Sequence, residues 1–71
     1  MACVNPDGTI TPSAITILAA LRSADTAELI APLTGLPLFR VRSALRELVA
    51  AGMVTVEDGR HCLTDAGLAR L

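Results

Sequence analysis

The chain has 71 residues, of which 52% are apolar, and its six arginines and seven acidic residues give a formal net charge of −1. This length fits one small domain, and the apolar share excludes a disordered chain, which needs low hydrophobicity and high net charge. The near-neutral charge excludes a general basic field that attracts nucleic acid, so any basic function must come from local clustering.

Neither a membrane span nor a signal peptide is predicted. The longest unbroken apolar run, residues 17–21, is far shorter than the roughly 20 residues that cross a bilayer. The first residues have neither the basic start nor the apolar stretch of a signal peptide. We therefore expect a cytoplasmic protein without membrane association, in which Cys3 and Cys62 are reduced rather than joined by a disulfide.

The first predicted helix covers residues 12–22 and follows a lead-in, residues 1–11, with an Asn-Pro-Asp-Gly turn at 5–8. Thr11 is the expected N-cap and Pro12 the first helical residue. The apolar residues of this helix spread over about 160° of the helical wheel, which is wider than the stripe of an ordinary surface helix. We therefore expect it to bury a second face against another copy of the chain, giving a homodimer.

A second, short helix is predicted over residues 26–33. Asp25 with Glu28 three residues later forms a capping pattern. Pro32 should end or kink this helix, and Gly35 suits its C-terminal cap. Three of its apolar residues are expected to be buried: Leu29, Ile30 and Leu33.

The third helix, residues 37–51 before Gly52, carries half of the basic residues of the chain. A helical wheel places its apolar residues in one stripe: Leu38, Val41, Ala44, Leu45, Leu48 and Val49. Phe39, Ser43 and Arg46 lie on the opposite side, with Arg42 at their border. Another edge carries the charged pair Arg40 and Glu47.

The last third of the chain is predicted to form a β-hairpin and a short helix. The hairpin covers residues 53–63, and Asp58-Gly59 is a favoured two-residue turn. Thr64 is the expected cap of a final helix over residues 65–71. No repeat, linker or low-complexity segment interrupts the sequence.

The order of these elements resembles the winged helix-turn-helix family. Thr34-Gly35-Leu36-Pro37, Val41 and the Leu-Arg-Glu-Leu run at 45–48 are similar to the family's turn and recognition helix. Residues 51–54 are similar to its helix-to-wing junction, and residues 63–67 to the segment after the wing. The resemblance covers residues 12–71. It implies one domain, 1–71, with an α+β, mostly α fold: a three-helix core, a two-stranded wing and a short C-terminal helix.

This resemblance implies sequence-specific binding of double-stranded DNA by a small, homodimeric transcriptional regulator, with the third helix in the major groove. The side-chain chemistry agrees, since Arg takes guanine bidentately, Ser bonds base edges or phosphate, and a Phe ring contacts a thymine methyl. An arginine beside the hairpin tip suits a phosphate or the minor groove. The candidate DNA-contacting residues are Phe39, Arg40, Arg42, Ser43, Arg46 and Arg60.

A protein-interaction module or accessory subunit without DNA binding is the alternative. DNA-binding winged helices commonly carry Ser or Thr where the third helix begins, but this chain has Leu38 followed by Phe39. The hairpin tip carries Glu57 and Asp58, which phosphates repel. Aromatic residues often anchor protein interfaces, so Leu38 and Phe39 are the candidate contacts with a protein partner.

No catalytic, cofactor or metal site is predicted. The glycines fall at caps and turns rather than in a phosphate-binding loop, and no nucleophile stands near a base and an orienting group. His61 and Cys62 are neighbours in a strand, so their side chains point to opposite faces and are not expected to share one ion. We expect a half-buried His61 and a small Cys62 at the edge of the core.

Overall fold

A computed structural model describes residues 9–71 of the chain, so the predicted turn at 5–8 and Cys3 lie outside the described residues. The fold is α+β and mostly helical, with a two-stranded antiparallel hairpin. The elements in chain order are α1 (Pro12–Ala20), α2 (Ala27–Thr34), α3 (Leu38–Ala50), β1 (Val54–Glu57), β2 (Arg60–Leu63) and α4 (Asp65–Leu68). The assignment of residues 1–71 to one domain stays a prediction.

Helix α1 begins with the predicted cap and ends two residues earlier than predicted. The Thr11 hydroxyl accepts a hydrogen bond from the Ala14 N–H at 3.3 Å, and Pro12 is the first helical residue. At the other end, the Leu21 N–H is shared between the carbonyls of Ile17 and Leu18, at 3.1 and 3.2 Å. Such shared bonds tighten the last turn of a helix, and the chain then leaves the helical path.

Helix α2 differs from its prediction in its cap and in its buried face. Thr26, not Asp25, is the N-cap, because its hydroxyl accepts from the Leu29 N–H at 3.3 Å. Ile30 is fully buried, but Leu29 and Leu33 are 55% and 59% exposed, so their predicted burial was wrong. Because this two-turn helix has apolar residues on every side, a helical wheel does not identify which of its faces is buried.

The C-terminal end of α2 follows the predicted glycine cap. Pro32 lies inside the helix, which continues for two more residues to Thr34. Gly35 then adopts a left-handed conformation with φ +74°, and its N–H bonds the Ala31 carbonyl at 2.9 Å. Glycine enters this region without steric cost, which allows the tight turn into α3.

Helix α3 supplies much of the core, as its predicted apolar stripe requires. Four residues of that stripe are at most 2% exposed: Val41, Ala44, Leu45 and Leu48. Leu38 and Val49 at the two ends of the helix are half-buried and pack against the same core. The helix begins after Pro37, whose backbone is extended and which provides no side-chain cap.

The hairpin has the predicted two-residue turn. Glu57 pairs with Arg60 beside the turn, and both Asp58 and Gly59 have positive φ, 52° and 76°, as a type I′ turn requires. The side chains of β2 alternate, so that His61 is half-buried and Cys62 is exposed. The predicted place of Cys62 at the core edge was therefore wrong, because the pleat turns it away from the core.

Helix α4 is a single turn held against the junction of α3 and β1, and it does not reach residue 71 as predicted. The predicted cap Thr64 accepts from the Gly67 N–H at 3.1 Å and donates to the Gly52 carbonyl at 2.7 Å. A Cβ at Gly67 would collide with the carbonyl oxygen of Met53. Within residues 9–71, no helix is long and apolar enough to cross a membrane.

Candidate functional site

The outer face of α3 carries most of the residues predicted to contact DNA. Phe39 is 70% exposed, and Arg42, Ser43 and Arg46 are exposed beside it. Arg40 is half-buried at the edge of the helix. The face therefore presents one aromatic ring, one hydroxyl and two guanidinium groups within two helical turns.

Two polar residues of this face, Ser43 and Arg46, contact each other. The Arg46 side chain donates to the Ser43 hydroxyl at 3.4 Å, at the three-residue spacing that brings side chains together on a helix. Both residues are exposed, so the bond is open to exchange with water or with a ligand group. Arg46 can therefore reorient without breaking a buried contact.

Arg42 forms an ion pair with Glu28 of α2, across the interface between the two helices. The Arg42 guanidinium nitrogen lies 3.1 Å from the Glu28 carboxylate oxygen, and the two side chains are 57% and 62% exposed. A hydrogen bond to its own backbone, followed by the bond from Arg42, holds the pKa of Glu28 below its usual value. Glu28 thus stays ionised at neutral pH and faces Arg42 as a carboxylate.

Arg60 is the first residue of β2, next to the hairpin turn, and its side chain lies near Asp25 in the loop before α2. Its guanidinium Nε is 3.9 Å from the Asp25 carboxylate, and the two side chains are 74% and 46% exposed. A contact this long between exposed groups is weak and is screened by salt. Arg60 therefore remains able to turn towards a ligand placed beside the hairpin.

His61 is fixed by the loop before α2. The carbonyl of Asp25 accepts the His61 backbone N–H at 2.7 Å and lies 3.3 Å from the ring nitrogen Nδ1. Because a carbonyl oxygen can only accept, the ring donates to it in the tautomer that carries a hydrogen on Nδ1. The pair of contacts holds both the hairpin and the imidazole ring against the start of α2.

A cleft of about 300 Å³ opens between α3, the start of α2 and the hairpin. It brings two of the predicted residues, Arg42 and Arg46, together with two groups that the sequence did not single out as site residues, Glu28 and the fixed His61 ring. The residues that line it are Ala27, Glu28, Arg42, Leu45, Arg46, Gly59 and His61.

The start of α3 is less apolar at its surface than the sequence predicts. Leu38 is half-buried and packs against the core, so it is not the exposed contact that a protein partner would need, whereas its neighbour Phe39 is 70% exposed. The cause is the helical path, which turns Leu38 onto the same side as Val41. Of the two candidate contacts with a protein partner, only Phe39 is therefore largely exposed.

Comparison with protein-family profiles and with curated protein sequences gave no match. Among solved structures, the chain is similar to an O-methyltransferase, NcsB1 from neocarzinostatin biosynthesis, crystallised with S-adenosyl-L-homocysteine. The two share 33% sequence identity with a TM-score of 0.62, over 79% of this chain. The chain spans 21% of the length of that methyltransferase.

Proposed function

We propose that the chain is a winged helix-turn-helix domain that binds double-stranded DNA as a small transcriptional regulator. One observation carries the proposal: Arg42 and Arg46 of α3 line the same cleft as Gly59 and His61 of the hairpin. A groove of this kind between a basic helix and a hairpin suits a sugar-phosphate backbone. Its two arginines supply the donors that phosphate oxygens accept.

In this proposal α3 enters the major groove with its N-terminal half. Its 13 residues give a rod about 20 Å long, and the groove of B-DNA, roughly 12 Å wide, admits one helix. Phe39 and Ser43 then meet base edges, while Arg42, Arg46 and Arg60 face the backbone. Arg40, at the half-buried edge, is the candidate for a flanking phosphate.

The same proposal includes a homodimer formed through α1. Ile15, Thr16 and Ala19 are exposed on the side of α1 that faces away from its buried residues, and Ile15 is 40% exposed. Pairing of two such faces offers a small domain further apolar burial. To read DNA, such a pair must present its two copies of α3 to half-sites about 34 Å apart, one turn of DNA.

The test compares two double variants that lose the same charge. Arg42→Ala/Arg46→Ala removes both arginines of the cleft, and Arg22→Ala/Arg70→Ala removes two exposed arginines elsewhere. Fluorescence anisotropy with a random-sequence duplex at low salt measures the affinity. We expect the cleft variant to lose at least about tenfold, because counterion release makes each phosphate contact worth roughly tenfold in affinity at low salt. Equal losses in both variants would leave only a general charge effect and would refute the cleft as the DNA site.

A protein-interaction domain is the second candidate, and two observations favour it. Leu29, Leu33 and Phe39 are each more than half exposed in a domain of near-neutral charge. The similar O-methyltransferase contains a segment of this fold as 21% of its length. Under this proposal the domain accompanies a methyl-transferring catalytic domain, in one chain or as a partner, and Phe39 anchors the contact.

Two measurements distinguish the candidate functions: binding of duplex DNA by the wild type and capture of a protein partner by Phe39→Ala. The interaction domain requires that the wild-type chain fails to bind duplex DNA at low salt and that Phe39→Ala abolishes capture of its partner. The DNA-binding domain requires duplex binding by the wild type. Capture that survives Phe39→Ala unchanged would remove the proposed anchor, since the ring is the largest apolar group on the outer face of α3.

A further inference from the structure

The cleft between α3 and the hairpin contains a carboxylate that stands where an anionic ligand would bind. Glu28 reaches from the first turn of α2 and places an oxygen 3.1 Å from the Arg42 guanidinium. A phosphate group offers the same arrangement of anionic oxygens to a guanidinium fork as a carboxylate does. The Glu28 carboxylate therefore makes a contact with Arg42 of the kind that a phosphate oxygen also makes.

The residues around the Arg42–Glu28 pair provide both further positive charge and space for an oxyanion. Arg46 lines the same cleft, and its side chain donates to the neutral Ser43 hydroxyl. The cleft has about 300 Å³ of space, which is ample for a phosphate group. Arg42 has five N–H donors, and its recorded contact with Glu28 engages one of its nitrogens. An anionic ligand that enters the cleft is therefore attracted by two arginines and repelled by one carboxylate, that of Glu28.

Exchange at this position is energetically easy. Both side chains of the Arg42–Glu28 pair are more than half exposed, and ion pairs of this kind contribute little to stability. Glu28 is also able to swing away, because its backbone is held independently by the Thr26 cap of α2. The pair can therefore open without disturbing the core.

We propose that the cleft is a phosphate-binding site and that Glu28 is its built-in competitor, which holds Arg42 in place and leaves when phosphate arrives. This inference deepens the proposed function, since the DNA backbone is one source of the phosphate. A free phosphorylated small molecule is the other source. In either case Arg42 and Arg46 bind the phosphate oxygens, and Glu28 sets the affinity by competition.

The experiment uses the full chain, labelled with ¹⁵N and titrated with sodium phosphate at constant ionic strength. We expect saturable shifts of the amides that surround the cleft, in residues 27–28, 42–46 and 59–61. Glu28→Gln should bind phosphate about two- to fivefold more tightly, because the competing charge is gone. Arg42→Ala should abolish the saturable shifts.

The control is Asp65→Asn, which removes the same charge at an exposed residue of α4 that does not line the cleft. If Glu28→Gln and Asp65→Asn change phosphate affinity equally, Glu28 is not a competitor and the inference is overturned. Absence of saturable shifts in both the wild type and Glu28→Gln overturns it as well.

Anisotropy with a duplex separates this inference from the proposed function. Duplex binding that is lost in Arg42→Ala but equal in Glu28→Gln and Asp65→Asn supports DNA binding and overturns the competition by Glu28. Phosphate binding that Glu28→Gln strengthens, without any duplex binding, supports the cleft as a site for a small phosphorylated ligand. That second result overturns the DNA-binding proposal alone.

Discussion

The two faces of α3 differ in chemistry, burial and purpose although they share one helix. The inner face, with Val41, Leu45 and Leu48, is at most 1% exposed and joins the core. The outer face carries Phe39, which is 70% exposed, and two arginines whose recorded partners are themselves exposed. Substitution on the inner face should therefore change folding, and substitution on the outer face should change binding alone.

The largest expected effect comes from opening a cavity on the inner face. Leu48 is fully buried, so Leu48→Ala should cost about 2–5 kcal/mol, which approaches the whole stability of a domain this small. Arg46→Ala, two residues away on the outer face, should stay within about 0.5 kcal/mol of the wild type. Urea unfolding followed by circular dichroism measures both. Equal destabilisation by the two would contradict the division of α3 into two faces.

The next prediction tests whether the close packing of the core extends to α4. Gly67→Ala places a methyl group against the Met53 carbonyl, and overpacking of this kind typically costs roughly 1–3 kcal/mol. The control is Ala66→Gly, an opposite change at the neighbouring exposed residue. Melting temperatures from thermal unfolding compare the stabilities of these two variants with that of the wild type. A Gly67→Ala variant as stable as the wild type would show that α4 does not rest on that carbonyl.

A smaller effect is expected at the cap that positions Glu28. Thr26→Ala removes the acceptor of the Leu29 N–H and should cost about 1 kcal/mol. Thr16→Ala makes the same substitution inside α1, where alanine is the better helix former, and should not destabilise. If Thr16→Ala costs as much as Thr26→Ala in the same urea titration, the effect is not that of a helix cap.

The smallest effect is the pH dependence that Glu28 introduces. Its pKa in the folded chain is lowered from the ordinary value of 4.5 by its own backbone and by Arg42. The stabilising contribution is therefore complete above that ordinary value and disappears as the pH falls through the lower folded value. Melting temperatures of the wild type and Glu28→Gln should converge in acid. A constant difference between them from neutral pH down to strong acid would contradict this linkage.

Local signals in the sequence predicted the parts of the fold that local chemistry determines. The Thr11 and Thr64 caps, the Gly35 cap and the Asp58-Gly59 turn each depend on a few adjacent residues, and each is present. The apolar stripe of α3 was predictable because 13 residues give the helical period enough turns to identify one face.

The site itself depends on contacts that no local pattern reveals. Glu28 and Arg42 are 14 positions apart, and their pairing follows from the way α2 packs on α3. The same packing determines that Ile30 of α2 is buried and Leu29 exposed. The sequence predicts a half-buried His61, but the place of its ring in the cleft depends on the bond from its N–H to the Asp25 carbonyl.

The most direct test of the DNA-binding proposal is a map of the amides that shift when a random-sequence duplex is added to the ¹⁵N-labelled chain at low salt. We expect shifts in the N-terminal half of α3, around Phe39, Arg42 and Ser43, and in the hairpin at residues 59–61. We expect no direct effect on α4. Shifts confined to α1 or α4, or a duplex that leaves every amide unchanged, would refute DNA binding through α3 and the hairpin.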